Sequence, residues 1–234
     1  MTNNFTPWQN PISFPQLLPG QLHLWRFSLE IFPAHYQNQR SFLSANELAC
    51  ADRLLDPQKQ QAFTIARSCL RQLLAKYLSL LPESVEFSYN ISGKPSIAAK
   101  NSKNLTFNLS HSGSMAVLAV TLDIDVGVDI ERIDRDLNFQ LLASHYFTPA
   151  EIVQLRGHSK SRQRRQFYRI WTAKEAILKM TGSGFSSSKP SALLAHDCCY
   201  GNIFFAANYV SAISTDRRIS AIRKFNFSSG DKIG

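Results

Sequence analysis

The sequence predicts an α+β protein of two similar halves, each a small, mainly antiparallel sheet packed on a long helix, with a cleft between them. Two observations predict this class. Runs of alternating apolar residues, typical of half-buried strands, are mixed with two long stretches whose apolar residues recur at helical spacing. The order of strand, helices, long helix and strands also occurs twice. This predicts an N-terminal half over 1–122 and a C-terminal half over 123–234, with a flexible tail from about 228.

In the first half, alternating residues predict a strand at 22–27. Ser44 and Glu47 have the spacing of a capping box, which predicts a helix from about 44. Asp56 and Pro57 predict the start of a longer helix, because aspartate caps helix N-termini and proline fits the first helical position. The other elements predicted for this half are strands at 85–89, 105–109 and 115–122 and turns at 92–95 and 110–113.

The second half is predicted in a similar order. Thr148 and Glu151 repeat the capping-box spacing and indicate the start of a helix. A long helix is predicted over 161–181 and ends at Gly182. The other elements predicted for this half are strands at 126–131, 203–210 and 218–223, a helical stretch at 138–145 and a loop at 183–191.

The composition limits the partners and the compartment. The 234 residues include 26 Lys+Arg and 17 Asp+Glu, a formal net charge of +9, which favours a polyanionic partner: nucleic acid, an anionic membrane, a phosphorylated ligand or an acidic protein. The apolar runs are far shorter than the ~20 residues that span a bilayer, and the N-terminus lacks a signal-peptide pattern. The four cysteines form no CxxC pair, which favours reduced thiols. We therefore expect a soluble cytoplasmic protein.

Two acids alternate along one predicted strand of the second half. Because alternate side chains of a strand share a face, Asp129 and Glu131 are expected to point the same way. On the long helix, Glu175 and Lys179 are one turn apart. Three acids and a lysine that converge favour a hard, oxygen-liganded cation such as Mg²⁺ holding a phosphate-bearing substrate. Two alternatives stay open: Glu175 and Lys179 form an ordinary surface pair, and Lys174, within the apolar stripe, extends its amine to water.

Three other segments carry polar or basic groups. The segment Phe107-Asn108-Leu109-Ser110-His111-Ser112-Gly113 ends a predicted strand in groups that can bind phosphate oxygens, although a polar turn with a locally bonded histidine is the alternative. Gly93-Lys94-Pro95 is a basic turn, for which a solvated loop lysine is the simplest interpretation. A basic run from Arg156 to Arg169 leads into the long helix, and it is either a solvated face or a docking surface for an acidic partner.

In this order, the motifs resemble those of the Sfp-type 4′-phosphopantetheinyl transferases. The matching segments are Gly93-Lys94-Pro95, 107–112, 127–131, Phe147-Thr148-x-x-Glu151 and, over 171–182, Trp-Thr-x-Lys-Glu-Ala-x-x-Lys-x-x-Gly. The resemblance implies a monomer with a pseudo-twofold axis that binds coenzyme A between its halves. It also implies Mg²⁺-dependent transfer of the phosphopantetheine arm to a serine of an acidic acyl or peptidyl carrier protein, with release of adenosine 3′,5′-bisphosphate. Nucleic acid and membrane are then not expected as partners.

The resemblance also implies roles for individual residues. Asp129, Glu131 and Glu175 would be the Mg²⁺ ligands, and Glu175 would also be the general base for the acceptor serine. Lys179 would neutralise the phosphate under attack. The other residues expected at coenzyme A are Lys94 and Pro95 near the adenosine 3′-phosphate, Ser110 and His111 at the pyrophosphate, and Lys174.

One departure from the family concerns the helix after Ser44. The family often has basic residues there that reach the 3′-phosphate, whereas this chain has Glu47 and Cys50 and leaves Arg53 as the only cation of those turns. Either Arg53 and Arg67 take over this role, or coenzyme A is held more weakly.

Two rival functions share some of these features. A Mg²⁺-dependent nuclease would use the same acids, lysine and basic charge, but such enzymes usually carry a lysine two residues after the second acid, where this chain has Ile133. The stretch that carries the two acids also lacks interleaved aromatic residues for stacking bases. A non-catalytic basic adaptor that presents the helix at 161–181 would need neither Asp129 nor Glu175.

Overall fold

The structure is a computed structural model that describes residues 7–30, 33–101, 103–183, 199–203 and 205–228. It confirms the predicted α+β class. The strands are β1 (Gln21–Ser28), β2 (Phe87–Tyr89), β3 (Pro95–Ile97), β4 (Leu105–Ser112), β5 (Met115–Leu122), β6 (Val126–Arg132), β7 (Cys199–Ile203), β8 (Tyr209–Thr215) and β9 (Ala221–Asn226). The helices are α1 (Pro33–Arg40), α2 (Ala45–Asp52), α3 (Pro57–Leu78), α4 (Phe139–Tyr146), α5 (Pro149–Arg156) and α6 (Lys160–Thr181).

The first sheet joins strands from both ends of the chain. Its order is β4-β5-β1-β9, in which β1 pairs antiparallel with β5 and parallel with β9. Helix α3 shares a core with this sheet, whose largest fully buried side chains include Trp25, Ile65, Leu70, Phe107 and Phe225. Burying a large apolar side chain contributes roughly 1.5–3 kcal/mol, so this core firmly anchors the sheet that carries β4.

Local signals in the sequence begin the helices of this half as predicted. The Ser44 hydroxyl accepts a hydrogen bond from the Glu47 amide, and the Glu47 carboxylate accepts one from the Ser44 amide, which completes the capping box of α2. Asp56 accepts hydrogen bonds from the amides of Gln58 and Lys59 at the start of α3. An N-cap of this kind contributes about 1 kcal/mol to stability.

The second sheet, β6-β8-β7, packs against α6. Val128 and Ile130 of β6 are fully buried in a second core, which the sheet shares with Leu24 of β1 and Val117 of β5. The predicted capping box of Thr148 and Glu151 is present at the start of α5. Helix α6 ends at Gly182, whose φ of 69° is the left-handed conformation that glycine adopts at helix C-termini. The acidic strand and the long helix predicted for this half are therefore confirmed.

The prediction of a turn at 110–113 is wrong. Strand β4 continues to Ser112, and only Gly113 and Ser114 connect it to β5. The small polar residues indicated a turn, but within the strand they bond to β6, so their polarity does not interrupt the sheet.

Other element boundaries also differ from the prediction. The stretch 203–210 contains the end of β7 and the start of β8, not one strand, and the strand predicted at 218–223 is shifted to β9. Helix α1 was missed because its eight residues are mostly polar and show no apolar stripe.

Some predictions are not tested by these elements. Residues 184–191 of the loop predicted over 183–191, and the tail after 228, lie outside the described residues. The pseudo-twofold axis, the boundary between the halves and the monomeric state stay predictions.

Among the described residues, Cys50, Cys69 and Cys199 carry free thiols.

Candidate active site

A close approach of α6 to β6 sets the geometry of the candidate site. A Cβ atom at Gly127 would clash with the carbonyl oxygen of Ala176 and the amide nitrogen of Met180. Because both obstacles are backbone atoms, only glycine permits this contact. The helical face that carries Glu175 and Lys179 is thereby held beside β6.

An ion pair joins the helix to the strand at this contact. The Lys179 ammonium lies 2.6 Å from Asp129 Oδ1 and also donates to the Ser110 hydroxyl at 2.8 Å. Asp129 is 3% exposed, and its burial raises the pKa of the carboxyl, outweighing the opposing effects of Lys179 and Ser110. The second oxygen, Oδ2, is buried and has no hydrogen-bond partner among the described residues. Asp129 thus has one paired and one unpaired oxygen.

Glu131 and Glu175 share the electrostatic field of this pair. Glu131 is half-buried and accepts a hydrogen bond of 2.7 Å from Ser112, and burial followed by the charge of Asp129 raises its pKa. Burial, followed by the charges of Asp129 and Glu131, raises the pKa of Glu175 to about 7 against the opposing effect of Lys179. The structure therefore brings the three predicted acids and Lys179 into one neighbourhood.

The arrangement of these acids does not in itself form a metal centre. Within the ranges that the structure describes, no three His, Cys, Asp or Glu side chains are grouped so that they could hold a metal ion. The Asp129 carboxylate is bonded to Lys179 and Ser110, and the Glu131 carboxylate to Ser112. The assignment of Mg²⁺ stays a prediction.

Ser110 and His111 lie next to the acids. The Ser110 hydroxyl donates to Asp129 Oδ1 and accepts from Lys179 and from the Ile130 amide, which uses all three of its hydrogen-bonding positions. The His111 side chain is exposed at the surface, but part of its ring is covered by neighbouring residues. This partial burial, followed by the charge of the Lys179 ammonium, lowers the pKa of His111. Of the two, His111 is the side chain that faces solvent.

Lys94 and Pro95 lie at the C-terminal end of α6. The Lys94 ammonium donates to the carbonyl oxygen of Met180 at 2.6 Å, and Asn90 donates to that of Gly182 at 3.2 Å. A cation at a helix C-terminus is stabilised by the helix dipole. Burial lowers the pKa of Lys94, and Asp125 opposes this shift. Lys94 therefore joins the C-terminal end of α6 to the β2–β3 hairpin.

A cavity of about 520 Å³ adjoins Lys94 and Pro95. Asp123, Asp125 and Asp216 line it together with Lys94 and Arg217, so cationic and anionic groups are mixed there. This mixture does not by itself favour an anionic ligand.

Arg53 follows α2 and Arg67 lies on α3, both in the first half of the chain. Arg67 forms an ion pair with Glu47 and donates to the Tyr89 hydroxyl, and Arg71 forms a second ion pair with Glu47. Burial acts to raise the pKa of Glu47, but both arginines and the Ser44 amide lower it on balance. Arg53 is exposed and donates to the sulfur of Cys50. Glu47 thus neutralises much of the charge that Arg67 would offer a phosphate.

Lys174 is buried away from the Lys179 pair. Its ammonium lies 2.8 and 2.9 Å from the two carboxylate oxygens of Glu151. Both side chains are less than a tenth exposed, and Glu151 also caps α5. These contacts indicate a structural role in joining α5 to α6. The alternative in which the amine reaches water is wrong.

Sequence reasoning missed Asn108, Ser112 and Arg71. Asn108 and Ser112 alternate with Ser110, and this period of two would have placed all three on one face of a strand. Arg71 follows Arg67 by four residues, and this spacing places both on one face of α3.

A lysine and three carboxylates between a strand and a helix are groups that an enzyme acting on phosphate can use to stabilise the charge that develops. Comparison with known proteins identifies the family. Residues 125–201 match the model of the 4′-phosphopantetheinyl transferase superfamily, and 30–123 match that of the 4′-phosphopantetheinyl transferase N-terminal region.

Named relatives cover most of the chain. It is 37% identical over 171 residues to the 4′-phosphopantetheinyl transferase HetI of Nostoc sp. (strain PCC 7120), which is 73% of this chain and 72% of that protein. It is 37% identical over 164 residues to AcpT of Salmonella typhi, covering 68% and 82%, and 31% identical over 171 residues to psf-1 of Bacillus pumilus, covering 68% and 70%. Both are also named 4′-phosphopantetheinyl transferases.

The chain therefore belongs to the 4′-phosphopantetheinyl transferase superfamily and is an enzyme of this type, which confirms the resemblance seen in its motifs. None of the helices in the described ranges combines the length and the apolar character needed to cross a membrane.

Proposed function

We propose that this enzyme transfers the 4′-phosphopantetheine arm of coenzyme A to a serine hydroxyl of an apo acyl or peptidyl carrier protein, with Mg²⁺, and releases adenosine 3′,5′-bisphosphate. The observation that carries the proposal is the pairing of Lys179 with Asp129 beside Glu131 and Glu175, in a chain of this family. Displacement at a phosphorus atom builds negative charge on oxygens, and such a cluster can stabilise that charge.

The chemistry of the acidic residues, rather than their grouping in this structure, fits a hard divalent cation. Asp129, Glu131 and Glu175 would hold Mg²⁺, because carboxylate oxygens are its preferred ligands and Asp129 Oδ2 is a buried oxygen that has no partner among the described residues. Burial raises the pKa of all three carboxyl groups, and the charge of Asp129 adds to this for Glu131 and Glu175; a bound cation would offset both effects. When bound, Mg²⁺ would polarise phosphate oxygens and neutralise charge on them.

The residues of the chain supply the remaining chemistry. Glu175 would accept the proton of the attacking serine, since burial and neighbouring charge make its carboxylate a stronger base than an exposed glutamate. Lys179 would donate to the phosphate under attack. His111 would donate to the pyrophosphate from its exposed position beside Lys179.

The carrier protein would dock beside the N-terminal part of α6. Arg156, Arg162 and Arg169 are exposed there, and the neighbouring helices expose Leu141, Tyr146 and Val153. By contrast, Arg164 donates to the carbonyls of Asp134 and Leu137, and Arg165 to that of Ala207. The exposed arginines and apolar side chains together fit an acidic partner with an apolar contact surface.

The test is incubation of the purified protein with coenzyme A, Mg²⁺ and a panel of apo carrier proteins. We expect a mass gain of one phosphopantetheine unit on the carrier. A carrier whose acceptor serine is replaced by alanine, and a reaction with chelator, are the controls. If no carrier gains mass while the protein cleaves DNA with Mg²⁺, the nuclease alternative replaces this proposal.

A further inference from the structure

A row of side-chain hydrogen bonds joins the two sheets at the candidate site. Strands β4 and β6 belong to different sheets. Even so, the side chains of Asn108, Ser110 and Ser112 accept hydrogen bonds from three amides of β6. The donors are, in the same order, the amides of Val128 at 2.9 Å, Ile130 at 3.4 Å and Arg132 at 3.1 Å.

The pattern follows from strand geometry on both sides. The three β4 residues are two apart, so they share one face of their strand. The three β6 amides are also two apart, so they point to one side of β6, away from β8. An edge strand leaves such amides unpaired, and here the side chains of β4 satisfy them. We name this row of three residues, Asn108, Ser110 and Ser112, the polar seam.

The seam also holds the carboxylates of the acids. The Ser110 hydroxyl donates to Asp129 Oδ1 at 3.0 Å, and the Ser112 hydroxyl donates to Glu131 Oε2 at 2.7 Å. Each serine therefore accepts from the amide that follows an acid and donates to the carboxylate of that acid. This double contact fixes the direction of the carboxylate relative to its own backbone.

We propose that the polar seam positions the acids of the active site. Ser112 is the positioning residue for Glu131, and Asn108 fixes the position of β6 relative to β4 through its hydrogen bond with the Val128 amide. The proposal rests on the proposed function, in which Asp129 and Glu131 hold a divalent cation. Residues that orient metal ligands typically contribute 10–100-fold to metal affinity or activity. The seam accounts for the small polar residues that interrupt the apolar pattern of β4 without ending the strand.

Ser112→Ala and Ser112→Thr in the full chain test the proposal. Alanine removes both contacts, and threonine retains a hydroxyl that can make them. Ser88→Ala is the matched control, because Ser88 forms an exposed hydrogen bond with Ser96 on the β2–β3 hairpin. Each protein is titrated with Mn²⁺ alone, followed by electron paramagnetic resonance, and assayed for kcat, KM for the carrier and thermal unfolding.

We expect Ser112→Ala to weaken Mn²⁺ binding and to lower kcat by about 10–100-fold, with KM for the carrier unchanged. Ser112→Thr should restore both to within about threefold, and Ser88→Ala should match the wild type, as surface changes usually do. Equal Mn²⁺ affinity and kcat in Ser112→Ala and wild type would overturn the positioning role, as would losses that only follow the unfolded fraction.

A wild-type protein that binds Mn²⁺ without transferring phosphopantetheine would refute the proposed function, while the Mn²⁺ affinities would still decide the role of Ser112. A wild type that binds no Mn²⁺ would overturn the seam proposal.

Discussion

Lys179 on α6 and Asp129 on β6 form an ion pair of 2.6 Å that joins two elements fifty residues apart in the sequence. The pair places the Lys179 ammonium close to Glu175, whose carboxylate also interacts electrostatically with Asp129 and Glu131 of β6. Since Gly127 lets the helix backbone approach the strand closely, the reactive groups are fixed by main-chain packing. The site therefore lies on rigid elements of the fold, which favours catalysis by positioning and electrostatics.

Replacing Glu175 by glutamine should abolish most of the transfer and leave coenzyme A binding intact. The amide keeps the size of the side chain but cannot accept a proton, and loss of a general base costs about 10²–10⁴-fold in rate. Single-turnover transfer and calorimetric binding of coenzyme A measure the two effects. Unchanged turnover would contradict the role of Glu175 both as base and as ligand.

Replacing Gly127 by alanine should destabilise the protein by about 2–3 kcal/mol and reduce transfer, because the added Cβ must push α6 away from β6. The matched control is Gly201→Ala on β7, where an added Cβ meets no atom within 4 Å. We expect that control to change the free energy of unfolding by less than about 0.5 kcal/mol. Urea unfolding measures both variants, and equal stability of the two would refute the close approach.

Lys174→Met should cost about 3 kcal/mol, because it leaves the Glu151 carboxylate buried without its cation. The double variant Lys174→Met/Glu151→Gln should recover most of this loss. The glutamine removes the charge and can still accept the hydrogen bond from the Thr148 amide that caps α5.

The same pair of variants separates a structural role from a ligand-binding role for Lys174. Coenzyme A affinity equal to wild type in the double variant would assign Lys174 to structure. A stable double variant that has lost coenzyme A affinity would instead support the role implied by the family resemblance. Equilibrium unfolding and calorimetry give the two readouts.

Local features of this fold follow from the sequence, whereas long-range partners do not. The capping boxes at Ser44 and Thr148 were predicted because short spacings determine them. The alternation of Asp129 and Glu131 likewise follows from strand geometry. The sequence contains no sign that Glu47 neutralises two arginines from another helix, because residue spacing does not encode contacts between elements.

The C-terminal end of β4 also depends on contacts between elements, which the sequence does not reveal. The serines of β4 predicted a turn because small polar residues usually leave the sheet. They remain in the strand since β6 provides amide donors for them, and only the tertiary structure reveals those donors. Strand and helix spacing, and then the family resemblance, grouped the acids with Lys179, but only the tertiary structure shows the hydrogen bond between Lys179 and Asp129.

The protein should lose stability between about pH 6.5 and 4 through His23. Trp25 donates to the Tyr77 hydroxyl at 2.7 Å, and the same hydroxyl lies within hydrogen-bond distance, 2.7 Å, of His23 Nδ1. Burial, followed by the charge of Arg223, lowers the pKa of His23 from 6.5 to about 4, so the ring is neutral at pH 7. Below pH 6.5 the His23 side chain of the unfolded chain binds a proton, whereas that of the folded protein stays neutral down to about pH 4. The contribution of neutral His23 to the free energy of unfolding is therefore complete above pH 6.5 and falls by up to about 1.4 kcal/mol per pH unit between pH 6.5 and 4.

His23→Gln should flatten this part of the pH dependence, because glutamine can accept the Tyr77 hydrogen bond and does not titrate. Carboxylates contribute equally to both proteins, so the difference between the wild-type and variant curves isolates His23. Chemical unfolding at half-unit steps from pH 7.5 to 4.5 measures it. Parallel curves would show that His23 accepts a proton without cost in the folded protein.

Reversing the charge of Arg162 and Arg169 should raise KM for an acidic carrier at low salt and leave kcat near wild type. Both side chains are exposed at the proposed docking surface, whereas Arg164 and Arg165 hold loop carbonyls and would confound the result with instability. Exposed charges at an interface act mainly on encounter and on salt dependence, so the effect should shrink as ionic strength rises.

The matched control for this variant is Lys59→Glu/Arg218→Glu, which changes the net charge equally at exposed positions on α3 and between β8 and β9. If attraction depended only on the charge of the whole protein, both double variants would raise KM alike. A local docking surface predicts a large effect for Arg162 and Arg169 and a small one for the control pair. Equal increases of KM in the two double variants would therefore contradict a docking surface at Arg162 and Arg169, even if the transfer reaction itself is confirmed.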